Sequence, residues 1–300
     1  MKMRFCIAVI LAAFALQAEA PQTNPLKLLA DPTPPVDTTL TYGTDPAQFE
    51  ELRLPPGDGP FPVAIVVHGG CWSVTVPHVP PTLTTLALMR PLAAALTADG
   101  YATFNVEYRR LGNGGGWPAT YADLSTATDL VRTLAPVYHL DLGHVITIGH
   151  SSGGQLAEWI GSRAKIAKGS DLYVNNPVPI AGIVDLDGPP DLDVSPDLAT
   201  GICGSPVTEA FAGGKPAQVP THYHDGSAAG LMPIGVRQEV FSTGAFGKQW
   251  LDLFTTYAAR AKKAGDTVDL HETDSAGHFD VIDPHSALWP AVLAAVNSFK

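Results

Sequence analysis

The chain has 300 residues, 45% hydrophobic and 16% charged, with a formal net charge of −11. That apolar fraction supplies a substantial core and excludes wholesale disorder, while the length allows one large domain or two small ones. An excess of 29 acidic over 18 basic residues argues against nucleic acid or anionic membranes as partners, and Gly and Pro without a G-X-Y period exclude a collagen-like rod.

In chain order, residues 1–20 read as a secretory signal peptide. Lys2 and Arg4 make a short basic start, residues 5–16 are an apolar run too short to span a bilayer, and Ala18-Glu19-Ala20 offers small residues at a cleavage site. The mature protein is therefore expected to be soluble and exported, periplasmic or secreted, with no membrane association once the leader is gone. Residues 21–39 carry Pro21, Pro25, Pro32, Pro34 and Pro35 without an apolar period, and are expected to form an extended linker or mobile arm. Residues 40–300 form the expected folded domain. Export leaves Cys71 and Cys203 in an oxidising compartment, either as one disulfide or as two buried thiols.

Short, largely β-branched runs at 63–68, 102–106, 145–149, 180–186, 236–242 and 268–271 predict strands covered on both faces. Helical patterns lie between them at 83–98, 119–135, 155–165, 249–264 and 284–299. This alternation predicts parallel βαβ units and an α/β architecture. The stretch 188–233 is long, rich in Pro and Gly and poorly patterned; it reads either as a cover above the strand ends or as a surface excursion.

Three local patterns carry chemistry. Gly149-His150-Ser151-Ser152-Gly153 follows a predicted strand and opens a predicted helix, the strand–turn–helix setting that gives G-x-S-x-G its meaning. Ser151 would project from a strained turn, and the Ser152 N–H at the helix start could face a developing oxyanion. His68-Gly69-Gly70-Cys71-Trp72 closes an earlier strand, and its glycines let backbone N–H groups approach a ligand. Gly69, Gly70 and Cys71 are thus candidate oxyanion donors with Ser152. Ala276-Gly277-His278-Phe279-Asp280 follows the last strand. A serine nucleophile needs a base, and His278, among ten histidines, stands in the position to serve. His150 is expected to pack beneath the turn and His68 to make structural hydrogen bonds. Trp72 and Trp117 are candidates for lining a substrate pocket. His222 and His224 have H-x-H spacing without a further ligand cluster, so no metal is expected.

HGGCW, the Asn105–Arg110 segment, GGWP at 115–118, GHSSGG and AGHFDVIDP together resemble esterases of the α/β-hydrolase superfamily, in particular hormone-sensitive-lipase-like carboxylesterases and kynurenine formamidases. The resemblance spans about residues 40–300. It implies an α/β-hydrolase fold, with a mostly parallel central sheet flanked by helices on both faces. It also implies Ser151 as nucleophile, His278 as general base, no cofactor, and a small-molecule ester as substrate. An aryl-formamide amidase or a degenerate fold serving as a binding protein are the alternatives.

In one place the chain departs from the family. The turn expected to hold the triad acid reads Gly244-Ala245-Phe246-Gly247, without a carboxylate. The acid has then moved to Asp187, at the end of the preceding strand, or to Asp252, or is missing. Asp187 is the expected position, because functional side chains sit at the carboxyl ends of parallel strands; Glu107, Asp185 and Asp280 are lesser candidates.

Overall fold

The computed structural model describes residues 22–76, 84–194 and 196–300. The signal-peptide reading of 1–20 lies outside them. Among the described residues the strands are β1 (Thr38–Thr41), β2 (Phe49–Arg53), β3 (Phe61–Val67), β4 (Ala102–Val106), β5 (Leu140–His150), β6 (Gly182–Leu186), β7 (Arg237–Thr243) and β8 (Val268–Thr273). They form one sheet in the order β1-β2-β4-β3-β5-β6-β7-β8. Pairings from β4 to β8 are parallel, whereas β1 and β2 add an antiparallel edge absent from the sequence reading.

The helices are α1 (Pro25–Ala30), α2 (Arg90–Ala98), α3 (Ala119–Tyr138), α4 (Ser152–Ser162), α5 (Pro196–Cys203), α6 (Val207–Ala212), α7 (Pro220–Asp225), α8 (Ala228–Leu231), α9 (Lys248–Ala264) and α10 (Trp289–Asn297). Among the described residues no helix is long and apolar enough to cross a membrane.

Strand alternation divides the interior into two cores. Val63, Ile65 and Val67 of β3 join Leu124 of α3, Leu156 of α4 and Phe254 of α9 on one face. Ala64 and Val66 join Ile146 and Ile148 of β5, Leu92 of α2 and Val292 of α10 on the other. Both faces are covered, which is why these strands read as continuous apolar runs rather than alternating ones.

Two expectations change. The predicted helix over 83–98 is a 3₁₀ turn (Thr85–Met89) followed by α2, with Pro91 near the start of the α-helix. Within the Pro-rich segment 21–39, residues 25–30 are helical rather than extended. Asn24 accepts from the Leu26 N–H at 2.9 Å as a cap, Pro25 sits where a helix start tolerates it, and Leu28 is buried in the second core. Residues 188–233 hold the short helices α5 to α8.

Candidate active site

Because β3, β5, β6, β7 and β8 run parallel, their carboxyl ends meet at one edge of the sheet, where all three sequence patterns converge. Ser151 follows β5 directly, with φ 55° and ψ −128°, a sparsely populated conformation for a residue with a side chain. The surroundings hold it there. Its N–H donates to Leu186 O at 3.0 Å, and its own carbonyl accepts from Gly154 N at 2.8 Å. A Cβ on Gly149 would strike the Gly153 carbonyl, and one on Gly153 would strike the carbonyls of Val67 and His68. The turn closes only with glycine at both places.

The His68–Trp72 loop lies against this turn. A Cβ on Gly69 would come within 2.9 Å of the Ser151 Cβ, so the loop's backbone passes beside the serine. His68 stacks on Tyr108 and reaches Glu107 Oε1 at 3.2 Å, while Arg110 Nη2 donates to the same oxygen at 2.9 Å. Burial pushes the Glu107 carboxyl up, but His68 and Arg110 outweigh it and hold the group below its ordinary range. His68 and Glu107 therefore brace the loop from behind. Ser152, at the first turn of α4, is buried beside the serine.

Asp187 sits one residue beyond β6 with φ 61° and is fully buried. Its Oδ2 accepts from His278 Nδ1 at 2.6 Å and from Thr243 Oγ1 at 2.7 Å, and its Oδ1 accepts from Thr243 N at 2.9 Å and Trp250 Nε1 at 2.8 Å. Burial raises this carboxyl, yet the hydrogen bond and charge of His278, with both donations from Thr243, hold it below the usual carboxylate range. An ionised Asp187 takes the proton of Nδ1 as a hydrogen bond and leaves the His278 Nε2 lone pair free.

Of the other acids, Asp252 is exposed and paired with Lys248. Asp185 accepts from Gly188 N at 2.8 Å, and Asp280 accepts from Gly277 N at 2.7 Å. None of these hydrogen bonds involves the His278 ring. Thr243 and Trp250 escaped sequence reasoning; each lies more than fifty positions from Asp187, and neither carries a motif.

His150 is buried and its ring lies 4.5 Å from that of His278. Its Nε2 contacts the His278 carbonyl at 2.8 Å. Burial, then the neighbouring His278, lowers its pKa to about 3, so the ring is neutral with its proton on Nε2, donated to that carbonyl.

Ser151 and His278 line one cavity of about 160 Å³ with Gly69, Gly70, Cys71 and His150, closed by the apolar side chains of Leu88, Ile202, Phe246 and Phe279. A smaller cavity of about 20 Å³ adjoins Ser151 on another side, between Trp72, Pro189, Val194 and Trp250. Trp72 lines this smaller space, with its Nε1 donating to Gln155 Oε1 at 3.1 Å. Trp117 lines neither cavity; it stacks on His222, with ring centroids 4.0 Å apart. His222 Nδ1 contacts the Ala212 carbonyl at 2.7 Å, and among the described residues no cluster of three or more His, Cys, Asp or Glu could hold a metal ion.

Cys71 and Cys203 are joined by a disulfide across 132 positions, tying α5 to the His68–Trp72 loop. Ile202 lines both cavities, so the 188–233 stretch contacts the candidate site.

The strand order, the strained serine turn and the strand-end cluster define a protein of the α/β-hydrolase fold. The chain belongs to the BD-FAE family, whose model matches residues 51–229. Solved structures share the fold at low identity. Esterase B from Lactobacillus rhamnosis superposes with a TM-score of 0.71 at 15% identity, covering 92% of this chain and 89% of that one. The propionate-bound esterase Est2 of Thermogutta terrifontis gives 0.63 at 15%, covering 87% and 91%. A bifunctional GH43-CE protein from Bacteroides eggerthii gives 0.68 at 18%, covering 87% of this chain but only 37% of that one, so the chain spans little more than a third of it. No curated protein sequence matches the chain.

Proposed function

We propose that the chain is an exported serine hydrolase that cleaves a small carboxylic ester through an acyl-enzyme. The observation that carries this reading is the connected set of Ser151 on a strained turn, His278 in the same cavity, and buried Asp187 on His278 Nδ1 at 2.6 Å. In the reaction Ser151 Oγ attacks the ester carbonyl as His278 Nε2 takes its proton, and Asp187 stabilises the imidazolium. Backbone N–H groups of Gly69, Gly70, Cys71 and Ser152 receive the oxyanion. His278 then protonates the departing alkoxide, and water, activated by the same ring, releases the acid.

The fold neighbours support ester hydrolysis and short acyl groups. Esterase B has been captured with a tributyrin phosphonate, and Est2 with propionate and butyrate. The apolar walls of the cavity beside Ser151 suit such groups. Export rests on residues 1–20, whose basic start, apolar run and small residues follow the order of a signal peptide.

The test is hydrolysis of p-nitrophenyl acetate, butyrate and octanoate by the mature chain. Activity should be greatest on the shorter esters and should vanish in Ser151→Ala. A fluorophosphonate should add one label per chain, on Ser151. Undiminished hydrolysis by Ser151→Ala, or labelling of a different serine, would refute the assignment.

A further inference from the structure

The turn that presents His278 is held from outside the hydrolase body. Asp280 folds back over it: its Oδ2 accepts from Gly277 N at 2.7 Å, and its own N–H donates to Gly277 O at 3.0 Å. His278 is therefore enclosed in a loop closed by one carboxylate. The second oxygen of that carboxylate is engaged by Thr23, whose N–H donates to Asp280 Oδ1 at 2.6 Å. The Thr23 hydroxyl donates to Asp283 Oδ2 at 2.8 Å, so one residue links the two acids that follow His278, across more than 250 positions.

The neighbours of Thr23 reinforce the contact. The Gln22 side chain lies against Gly277, where an added Cβ would meet its Cβ at 2.9 Å. Pro25 is itself a wall of the cavity holding Ser151 and His278. Leu28 is only 3% exposed and belongs to the core cluster against which Phe279, the residue after His278, packs. Asp31 reaches His285 Nε2 at 3.2 Å. A merely trailing terminus would not make polar contacts to both acids after His278, an anchor in the core and a wall of the cavity at once.

We propose that residues 22–31 are an intramolecular strap that fixes the His278 turn and completes the substrate cavity, with Thr23 as the positioning residue and Pro25 as a determinant of acyl specificity. This rests on the proposed hydrolase reading. Thr23 acts through Asp280 and does not touch the substrate. Its effect is geometric: a general base displaced by about 1 Å loses on the order of 10²-fold in rate. Pro25 acts by volume, since one methylene at a hydrophobic pocket changes discrimination by about 10-fold or more.

The test compares the mature chain with Thr23→Pro, which lacks both donors, and Thr23→Ser, which keeps both. Hydrogen exchange of peptides spanning 276–285 reads the turn directly and does not depend on activity. Thr23→Pro should exchange faster there, with no change in the sheet, while Thr23→Ser matches the parent. On p-nitrophenyl butyrate, Thr23→Pro should lose about tenfold in kcat with KM little changed. Pro25→Ala should raise the octanoate-to-butyrate ratio of kcat/KM by about fivefold or more.

Unchanged exchange at 276–285 in Thr23→Pro overturns the strap. An unchanged chain-length profile in Pro25→Ala overturns the specificity role. If Thr23→Pro lowers the global melting temperature, Thr23→Val, which keeps the N–H on Asp280 and removes only the hydroxyl on Asp283, decides at that end of the strap: faster exchange confined to peptides after Ile282 supports it, and unchanged exchange there overturns it. A parent that hydrolyses no ester refutes the hydrolase reading alone, because exchange still decides whether the strap holds the turn.

Discussion

Replacing Asp187 with Asn separates charge and hydrogen-bond direction from shape. The carboxylate accepts four hydrogen bonds, two on each oxygen. An amide NH₂ in the Oδ1 position would face two N–H donors, Thr243 N and Trp250 Nε1, and neither can turn around. The amide therefore places its NH₂ at the Oδ2 position, where the Thr243 hydroxyl can rotate to accept. His278 Nδ1 must then accept as well, which forces its proton onto Nε2, the nitrogen that has to receive the serine proton. Loss of the correct tautomer in a working triad costs about 10⁴-fold in kcat, equivalent to about 5 kcal/mol of transition-state stabilisation. The fold should survive, because all four partners remain hydrogen-bonded, two of them with the direction reversed. Asp252→Asn changes an exposed side chain paired only with Lys248 and should retain nearly full activity. Initial rates on p-nitrophenyl butyrate, with circular dichroism and thermal melts of both variants, make the comparison. A folded Asp187→Asn chain keeping more than about a tenth of parental kcat would falsify the argument, as would an inactive Asp252→Asn.

Removing the disulfide with Cys71→Ala and Cys203→Ala frees a link across 132 positions. The expected loss is about 2–4 kcal/mol, a fall in Tm of roughly 3–7 °C, with a larger relative loss on short esters because Ile202 on α5 lines both cavities. A melting temperature unchanged between parent and double variant refutes this. A second expectation concerns pH. Burial raises the Glu158 carboxyl to about 8 from an ordinary 4.5, so the folded chain keeps a proton that the unfolded chain releases. The stability this acid contributes is full below 4.5 and is lost as pH rises to about 8. Urea midpoints should therefore decline across that window, and less steeply in Glu158→Gln; parallel profiles for the two proteins would contradict the assignment.

Much of the site is local and could be read from the linear chain. The Gly149–Gly153 turn is a matter of which neighbours have side chains, and the continuous apolar runs of β3 to β6 follow from burial on both faces. Asp187 stands out because it terminates such a run, and the empty turn at Gly244–Gly247 drew attention to it. The antiparallel edge was invisible for the opposite reason. β2 carries Glu50, Glu51 and Arg53, all buried, and Glu51 can be so because Arg90 and Asn105 donate to its carboxylate from other elements. Charged residues in a strand carry no apolar period. The proline-rich arm likewise reads as extended, and only the core into which Leu28 packs and the acids facing Thr23 make it helical and anchored.

What the sequence by itself determined, then, are the elements whose form follows from residues within a turn or two: the parallel strands, the helices between them, the serine turn and the histidine turn. The tertiary structure alone decided which groups meet. Parallel register sets Leu186 beside Phe241 and Thr243 beside Thr273, and so gathers Asp187, Thr243, Trp250 and His278 about one carboxylate. It also joins Cys71 to Cys203 and seats Thr23 on Asp280. Backbone sterics and periodicity are properties of neighbours along the chain, whereas hydrogen-bond partners of a buried group are chosen by whichever donors the folded sheet brings within 3 Å.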